Sequence, residues 1–212
     1  MRAETARRLA PAIPYAAMIL GLDLLSSGWS AILLYHAGMA AVLAADAGPR
    51  RRLLSGWDPR LGIAGILLGC SAGLVLAGVW PWTGIEGSLA ASLERLGLSG
   101  RTWLLFLPYH AVVNPLLEEP FWRGRTETAQ RAGVAGGWRP GWGDLLFAGY
   151  HVVVLHRFLS WPWTAAAFLV IAAAAWAWRW TAAKTGGLLI PLLSHGAADA
   201  AVMALLWWKT IR

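Results

Sequence analysis

Cysteine and charged side chains are both scarce in this sequence of 212 residues. Cys70 is the only cysteine, so no disulfide can form within the chain, and we expect it to be a small packing residue. Charged residues make up 14% of the chain, compared with roughly 25% in soluble domains. Hydrophobic residues make up 58%, compared with roughly 45–50%, and they occur in long blocks. The composition excludes an ordinary soluble domain and predicts an all-α, polytopic membrane protein.

The net charge of +7 does not indicate a nucleic-acid partner. The arginines are clustered between apolar blocks, and no basic face with interleaved stacking aromatics is visible. Several of the 15 tryptophans lie near the ends of apolar segments, where their rings anchor a helix among lipid headgroups. The expected partner is therefore the lipid bilayer, and nucleic acid is not expected.

The apolar blocks predict one membrane-embedded domain over residues 1–212, with about seven transmembrane helices and a range of six to eight. The predicted spans lie near 9–24, 28–45, 61–80, 101–118, 144–160, 163–180 and 187–208. Whether residues 9–45 form one span or two is open, and the polar residues around Asp23 favour two. Pro81 is expected to stop the third span. A short amphipathic helix is expected within residues 89–98.

The distribution of Lys and Arg orients these spans. With the N-terminus in the cytoplasm, thirteen of the 18 Lys and Arg residues fall on the cytoplasmic side, which supports seven spans. Arg2, Arg7 and Arg8 before an apolar stretch imitate a signal peptide, but no small-residue cleavage site follows at the right distance. We therefore expect a retained first span. The high share of Ala, Gly, Arg and Trp is compatible with a bacterial gene and hence with the inner (plasma) membrane.

Three pairs of residues, each spaced i,i+4, stand out in this apolar sequence because each would share one helix face. They are Glu119 with Arg123, next to Glu118; Phe147 with His151; and His195 with Asp199. Ionisable side chains inside a membrane are costly, so they indicate a functional site. Pro120 is expected to disturb the helix at Glu119 and to weaken its pairing with Arg123.

The depth of the three motifs predicts that they meet. Glu118 lies at the cytoplasmic end of its span, and a rise of about 1.5 Å per residue places His151 about 10 Å and His195 about 12 Å from the cytoplasmic ends of theirs. All three motifs therefore fall in the cytoplasmic half of the bilayer. Tyr109 and its neighbours His110 and Asn114 could extend a polar channel from this site, whereas His36, His156 and Asp23 have no partner that the sequence identifies.

The order Glu-Glu-x-x-x-Arg, Phe-x-x-x-His and His-x-x-x-Asn/Asp resembles the CAAX prenyl protease 2 and bacteriocin-processing family of intramembrane endopeptidases. The resemblance covers about residues 102–200. It implies that Glu118 is the general base, assisted by His151, and that His195 and Asp199 stabilise the oxyanion. It also implies that Glu119 and Arg123 maintain the charge and shape of the site.

Asp199 departs from this pattern, because several relatives have Asn there. An ionised carboxylate cannot donate a hydrogen bond to an oxyanion. Asp199 must therefore either carry a proton or act by orienting His195, and the sequence leaves both alternatives open. A divalent metal bound by the Glu and His residues is not favoured, since no His-Glu-x-x-His motif occurs, and no cofactor is expected.

The leading prediction is an intramembrane endopeptidase that cleaves a peptide or a membrane-anchored protein near the cytoplasmic face, by means of water activated by a glutamate. One alternative is a non-catalytic immunity or scaffold relative of the same family. Another is a proton-coupled transporter. Transport is disfavoured because the ionisable residues occupy one half of the bilayer and no repeated halves are visible.

Overall fold

The structure, a computed structural model, describes residues 9–45, 53–124 and 141–210, and these ranges contain helices and no strand. The described helices, in chain order, are α1 (Ala12–Leu24, π-helical from Leu20), α2 (Gly28–Ala45), α3 (Pro59–Thr83), α4 (Leu89–Arg95), α5 (Gly100–Trp122), α6 (Trp142–Leu155), α7 (Trp161–Thr185) and α8 (Leu189–Thr210). The predicted all-α membrane helix bundle is confirmed. Arg2, Arg7 and Arg8, which helped to orient the predicted spans, lie outside the described residues.

The seven predicted spans each correspond to one of the longer described helices. α2, α3, α7 and α8 are long and apolar enough to cross a membrane, whereas α1 and α6 are apolar but shorter. α5 is long, with 23 residues, but it carries three prolines and the buried carboxylates Glu118 and Glu119. The hairpin of α1 and α2 agrees with the two helices favoured over residues 9–45, and of the two α2 is long enough to be a candidate span. The short α4 falls inside the segment predicted for an amphipathic helix.

Pro81 does not stop α3, so that part of the prediction was wrong. The helix continues to Thr83 and ends at Gly84, whose φ of 72° is the left-handed conformation typical of a helix terminus. Pro81 removes the backbone hydrogen bond to the carbonyl four residues earlier, but this single loss does not end the helix. Thr83 also donates its hydroxyl to the carbonyl of Trp80 at 2.8 Å, and the Trp80 side chain is buried in an apolar cluster.

α8 lies at the centre of the packing. It contacts α3 most extensively and also contacts α5 and α7, while α6 packs on α7 and α2 packs on α5. α3 and α8 approach closely at glycines: a Cβ atom at Gly69 would lie only 2.2 Å from the Ser194 carbonyl oxygen. This contact fixes the turn of α8 that carries His195.

The main apolar cluster lies between α1, α2, α6 and the end of α5. Its buried members include Met39 and Tyr35 of α2, Phe121 and Trp122 of α5, and Phe147 and Tyr150 of α6. The polar residues of the three sequence motifs lie along the edge of this cluster.

Candidate active site

Glu118 is a fully buried carboxylate whose two oxygens have different surroundings. Oε1 accepts hydrogen bonds from the hydroxyl of Tyr35 on α2, at 2.5 Å, and from the hydroxyl of Tyr150 on α6. Oε2 has no hydrogen bond within the described residues and lies 3.4 Å from Nε2 of His195. The two phenols therefore fix the carboxylate through one oxygen and leave the other directed at the histidine.

Glu119 connects α5 to His195 on α8. Its Oε1 lies 2.8 Å from Nδ1 of His195 and accepts a hydrogen bond from Nη1 of Arg123 at 2.9 Å. All three side chains are buried. Arg123 therefore balances one carboxylate charge, and Glu119 fixes the orientation of the imidazole, since Nδ1 can bond to a carboxylate only as an N–H donor.

Pro120 does not break the pairing of Glu119 with Arg123, so the predicted disturbance was wrong. α5 stays helical through Trp122, and the Arg123 amide donates to the Glu119 carbonyl at 2.9 Å. A proline removes a single backbone hydrogen bond. The burial of Pro120, Phe121 and Trp122 holds the last turn in its helical conformation.

Asp199 lies one turn beyond His195 on α8 and is partly exposed. Its Oδ1 is 3.6 Å from Nε2 of His195, and its Oδ2 accepts a hydrogen bond from the Asn114 amide at 3.1 Å. His110 approaches from α5, with Nε2 at 3.8 Å from Oδ2. Nε2 of His195 thus lies between the carboxylates of Asp199 and Glu118 and is not tightly bonded to either.

His151 borders the cluster from α6. Its Nδ1 donates to the Phe147 carbonyl at 2.8 Å, and its ring lies against the ring of Tyr150 with 4.1 Å between centroids. Among the described residues no hydrogen bond joins His151 to Glu118. Because Nδ1 is the donor, Nε2 of the neutral ring is an acceptor.

Aromatic rings frame the charged residues. Phe147 lies under the guanidinium of Arg123, which is 4.1 Å from the ring centroid. Trp178 of α7 stacks on His195 with 4.4 Å between centroids. Such contacts favour a cation near the ring face and limit the rotation of both side chains.

The structure brings together the residues that the sequence predicted for the site. Five of them are linked directly or through one another by contacts of 3.6 Å or less: Glu118, Glu119, Arg123, His195 and Asp199. His151 adjoins them through Tyr150. Helices α5, α6 and α8 contribute five of these six residues, and Arg123 directly follows α5.

Sequence reasoning missed several residues that contact the site. Tyr35 and Tyr150 bind Glu118, Trp178 stacks on His195, and His36 bonds to Asn114. A tyrosine directly before a histidine occurs three times, at Tyr35–His36, Tyr109–His110 and Tyr150–His151, and this repeated pattern was a usable signal. Trp178 is one of 15 tryptophans and carried no such signal.

No group of three or more His, Cys, Asp or Glu residues within the described ranges has the arrangement of a metal site. The polar atoms are directed at one another instead. His195 bonds to Glu119, and the phenols of Tyr35 and Tyr150 bind one oxygen of Glu118.

Comparison with known proteins gives a match to one family model. Residues 100–201 match the family described as Type II CAAX prenyl endopeptidase Rce1-like, a range that contains all six predicted site residues. Neither curated proteins nor solved structures gave a match. This match over residues 100–201 supports membership of the CAAX protease family, as the three motifs predicted. Together with four helices long and apolar enough to cross a membrane, this match supports an integral membrane protein.

Proposed function

We propose that this protein is an intramembrane endopeptidase in which Glu118 activates water for attack on a peptide bond. The observation that carries this proposal is the asymmetry of the buried Glu118 carboxylate. Oε1 is held by two phenols, while Oε2 has no hydrogen bond within the described residues and is directed at His195. A general base must present a free lone pair at a fixed position, and Oε2 meets this requirement.

In the proposed reaction Oε2 takes a proton from water while the water oxygen bonds to the carbonyl carbon. The carbon–nitrogen bond then breaks, and the proton passes from Glu118 to the leaving nitrogen. In the imidazolium form of His195, Nδ1 donates to Glu119 and Nε2 also carries a hydrogen. Nε2 is then suited to donate to the oxyanion, because its distances of 3.4 and 3.6 Å from the carboxylates leave it without a tight bond. Glu119 and Arg123 orient His195, and His151 assists through Nε2, its acceptor nitrogen.

The proposed substrate is a peptide or a membrane-anchored protein, cleaved near the cytoplasmic face of the membrane. The family description names prenylated CAAX substrates, so this class is tested alongside peptides with an ordinary transmembrane anchor. A cytoplasmic N-terminus and a bacterial inner membrane remain part of the proposal.

We further propose that the reaction needs no metal or other cofactor. The support is the mutual bonding of the candidate ligands: Nδ1 of His195 bonds to Glu119, and Oε1 of Glu118 accepts from two phenols. A chelator should then leave the rate of hydrolysis unchanged.

The test uses purified protein in liposomes and two internally quenched peptides, one with a prenylated CAAX terminus and one with a transmembrane anchor. Glu118→Gln should lower the rate roughly 100- to 10,000-fold, the range expected for loss of a general base. Glu86→Gln is the matched control, since Glu86 is exposed and pairs only with Lys209 in the part of the chain described. Retention of the wild-type rate in Glu118→Gln would refute the mechanism, and a wild-type protein that cleaves neither peptide would refute the proposed activity on both substrate classes.

A further inference from the structure

Four hydrogen-bonded polar side chains lead from Tyr109 on α5, by way of α2 and α5, to Asp199 on α8. The hydroxyl of Tyr109 lies 2.7 Å from Nδ1 of His36, and Nε2 of His36 lies 3.2 Å from the side-chain oxygen of Asn114. The Asn114 amide nitrogen lies 3.1 Å from Oδ2 of Asp199. Asn114 and His36 are 3% and 4% exposed, so solvent does not compete for these bonds.

The hydrogen-bonding capacity of the four groups determines which group donates and which accepts in each bond. A carboxylate only accepts, so the Asn114 amide must donate to Asp199 and present its oxygen to His36. Nε2 of His36 must then carry the hydrogen. In the neutral ring Nδ1 is left as an acceptor for the Tyr109 hydroxyl. Every bond therefore donates toward Asp199.

The opposite direction requires a proton on Asp199. The carboxylic acid would then donate to the Asn114 oxygen, the amide would donate to Nε2 of His36, and Nδ1 of His36 would carry the hydrogen. The tautomer of His36 thus distinguishes an accepting from a donating Asp199.

We propose that Asn114 and His36 are positioning residues that hold Asp199 as a hydrogen-bond acceptor and so orient His195 for the hydrolysis proposed above. Asn114 fixes Oδ2 of Asp199, which places Oδ1 at 3.6 Å from Nε2 of His195. His36 fixes the orientation of the Asn114 amide, because a rotated amide would present its oxygen to the carboxylate. This inference rests on the proposed function, and it assigns Asp199 to orienting His195 rather than to donating to the oxyanion.

The first experiment measures the protonation of the histidine ring nitrogens by ¹⁵N NMR. It uses the full-length protein, labelled at histidine, in lipid nanodiscs. We expect His36 to be protonated at Nε2 and unprotonated at Nδ1. Protonation at Nδ1 alone would overturn the proposal, since it would show that the bonds donate away from a protonated Asp199. This measurement needs no substrate, so it remains decisive if the proposed peptidase activity fails.

The second experiment exchanges the amide and the carboxylate between positions 114 and 199. Asn114→Asp places two carboxylates against each other, and we expect the His195 ring resonances to shift. In the double variant Asn114→Asp, Asp199→Asn, the new amide at 199 donates to the new carboxylate at 114 and still offers its oxygen to His195. The resonances should return toward their wild-type positions, because the hydrogen bonds are complementary again.

Hydrolysis of the quenched peptides provides the functional readout. Asn114→Asp should lower kcat roughly 10- to 100-fold, the range for a hydrogen bond to a charged group, while KM changes less than about twofold. The double variant should recover most of this loss, and His36→Phe should show a smaller loss than Asn114→Asp. A wild-type rate in Asn114→Asp, or a double variant no better than the single one, would overturn the positioning role while leaving the Glu118 mechanism intact.

Discussion

The indole of Trp178 lies parallel to the imidazole of His195, with 4.4 Å between ring centroids and 18° between ring planes. The indole nitrogen also donates to the Ser194 hydroxyl at 3.0 Å, and that hydroxyl donates to the Gly65 carbonyl at 2.8 Å. α7 and α3 therefore both hold the turn of α8 that carries His195. The orientation of this histidine depends on neighbours that belong to none of the three sequence motifs.

Replacement of Trp178 tests this dependence. Trp178→Leu removes the ring stack and the bond to Ser194, so we expect kcat for the quenched peptides to fall about 10-fold, while Trp178→Phe keeps the stack and loses less. Trp82→Leu serves as the control, because Trp82 is 69% exposed in the structure. Equal losses in Trp178→Leu and Trp82→Leu would argue against a specific role for the stack.

The phenols that bind Glu118 should matter for both rate and stability. Tyr35→Phe and Tyr150→Phe each remove one donor to Oε1, and we expect a rate loss of roughly 10- to 100-fold for each. The double variant leaves a fully buried carboxylate without its two phenol donors, which should also destabilise the fold by about 1–3 kcal/mol per lost donor. Peptide hydrolysis and thermal unfolding in detergent measure the two effects. An active, equally stable double variant would contradict this account of Glu118.

The close approach of α3 and α8 predicts opposite results for two glycines on α3. A Cβ atom at Gly69 would lie 2.2 Å from the Ser194 carbonyl oxygen, whereas a Cβ atom at Gly78 meets nothing within 4 Å. Gly69→Ala should destabilise the protein by about 1–3 kcal/mol through overpacking. Gly78→Ala should match or slightly exceed the wild-type stability, because alanine has the higher helix propensity. Thermal unfolding of both variants checks this, and a Gly69→Ala variant as stable as Gly78→Ala would contradict the packing of α3 on α8.

A buried ion pair joins α6 to α7. The guanidinium of Arg179 donates to both oxygens of Asp144 at 2.9–3.1 Å, and the Asp144 carboxylate also accepts from the Gly141 amide at 2.8 Å. Removal of one partner leaves a buried charge, so Arg179→Gln should cost about 3–5 kcal/mol.

The pair of Arg157 with Asp23 is the matched comparison, since both of its side chains are more exposed. Arg157→Gln should cost less than about 1 kcal/mol. The two variants can be compared by the fraction of monodisperse protein that survives heating in detergent. Similar losses would show that burial does not govern the strength of these pairs.

Much of the site was predictable because its motifs are local. The i,i+4 spacing places His195 and Asp199 on one face of a helix wherever that helix packs, and the same holds for Glu119 and Arg123. The predicted break at Pro120 was wrong because tertiary burial of the last turn of α5 outweighs the local preference of the residue before proline.

The partners of Asp23 and His36 were not predictable by the same reasoning. Asp23 pairs with Arg157, which lies in the loop after α6. His36 on α2 bonds to Tyr109 and Asn114 on α5. α2 is apolar on nearly every face, so its sequence does not show which side is directed inward.

By itself, the sequence indicated the class of protein, the approximate positions of the long helices and the six residues proposed for the site, because hydrophobic length and helical spacing are local properties. The tertiary structure alone decided how these residues bond. It joins Tyr35 to Glu118 across 83 positions of sequence, sets Trp178 against His195 and directs Asn114 at Asp199. These contacts depend on the rotation of each helix about its axis, which only close packing against its neighbours can fix.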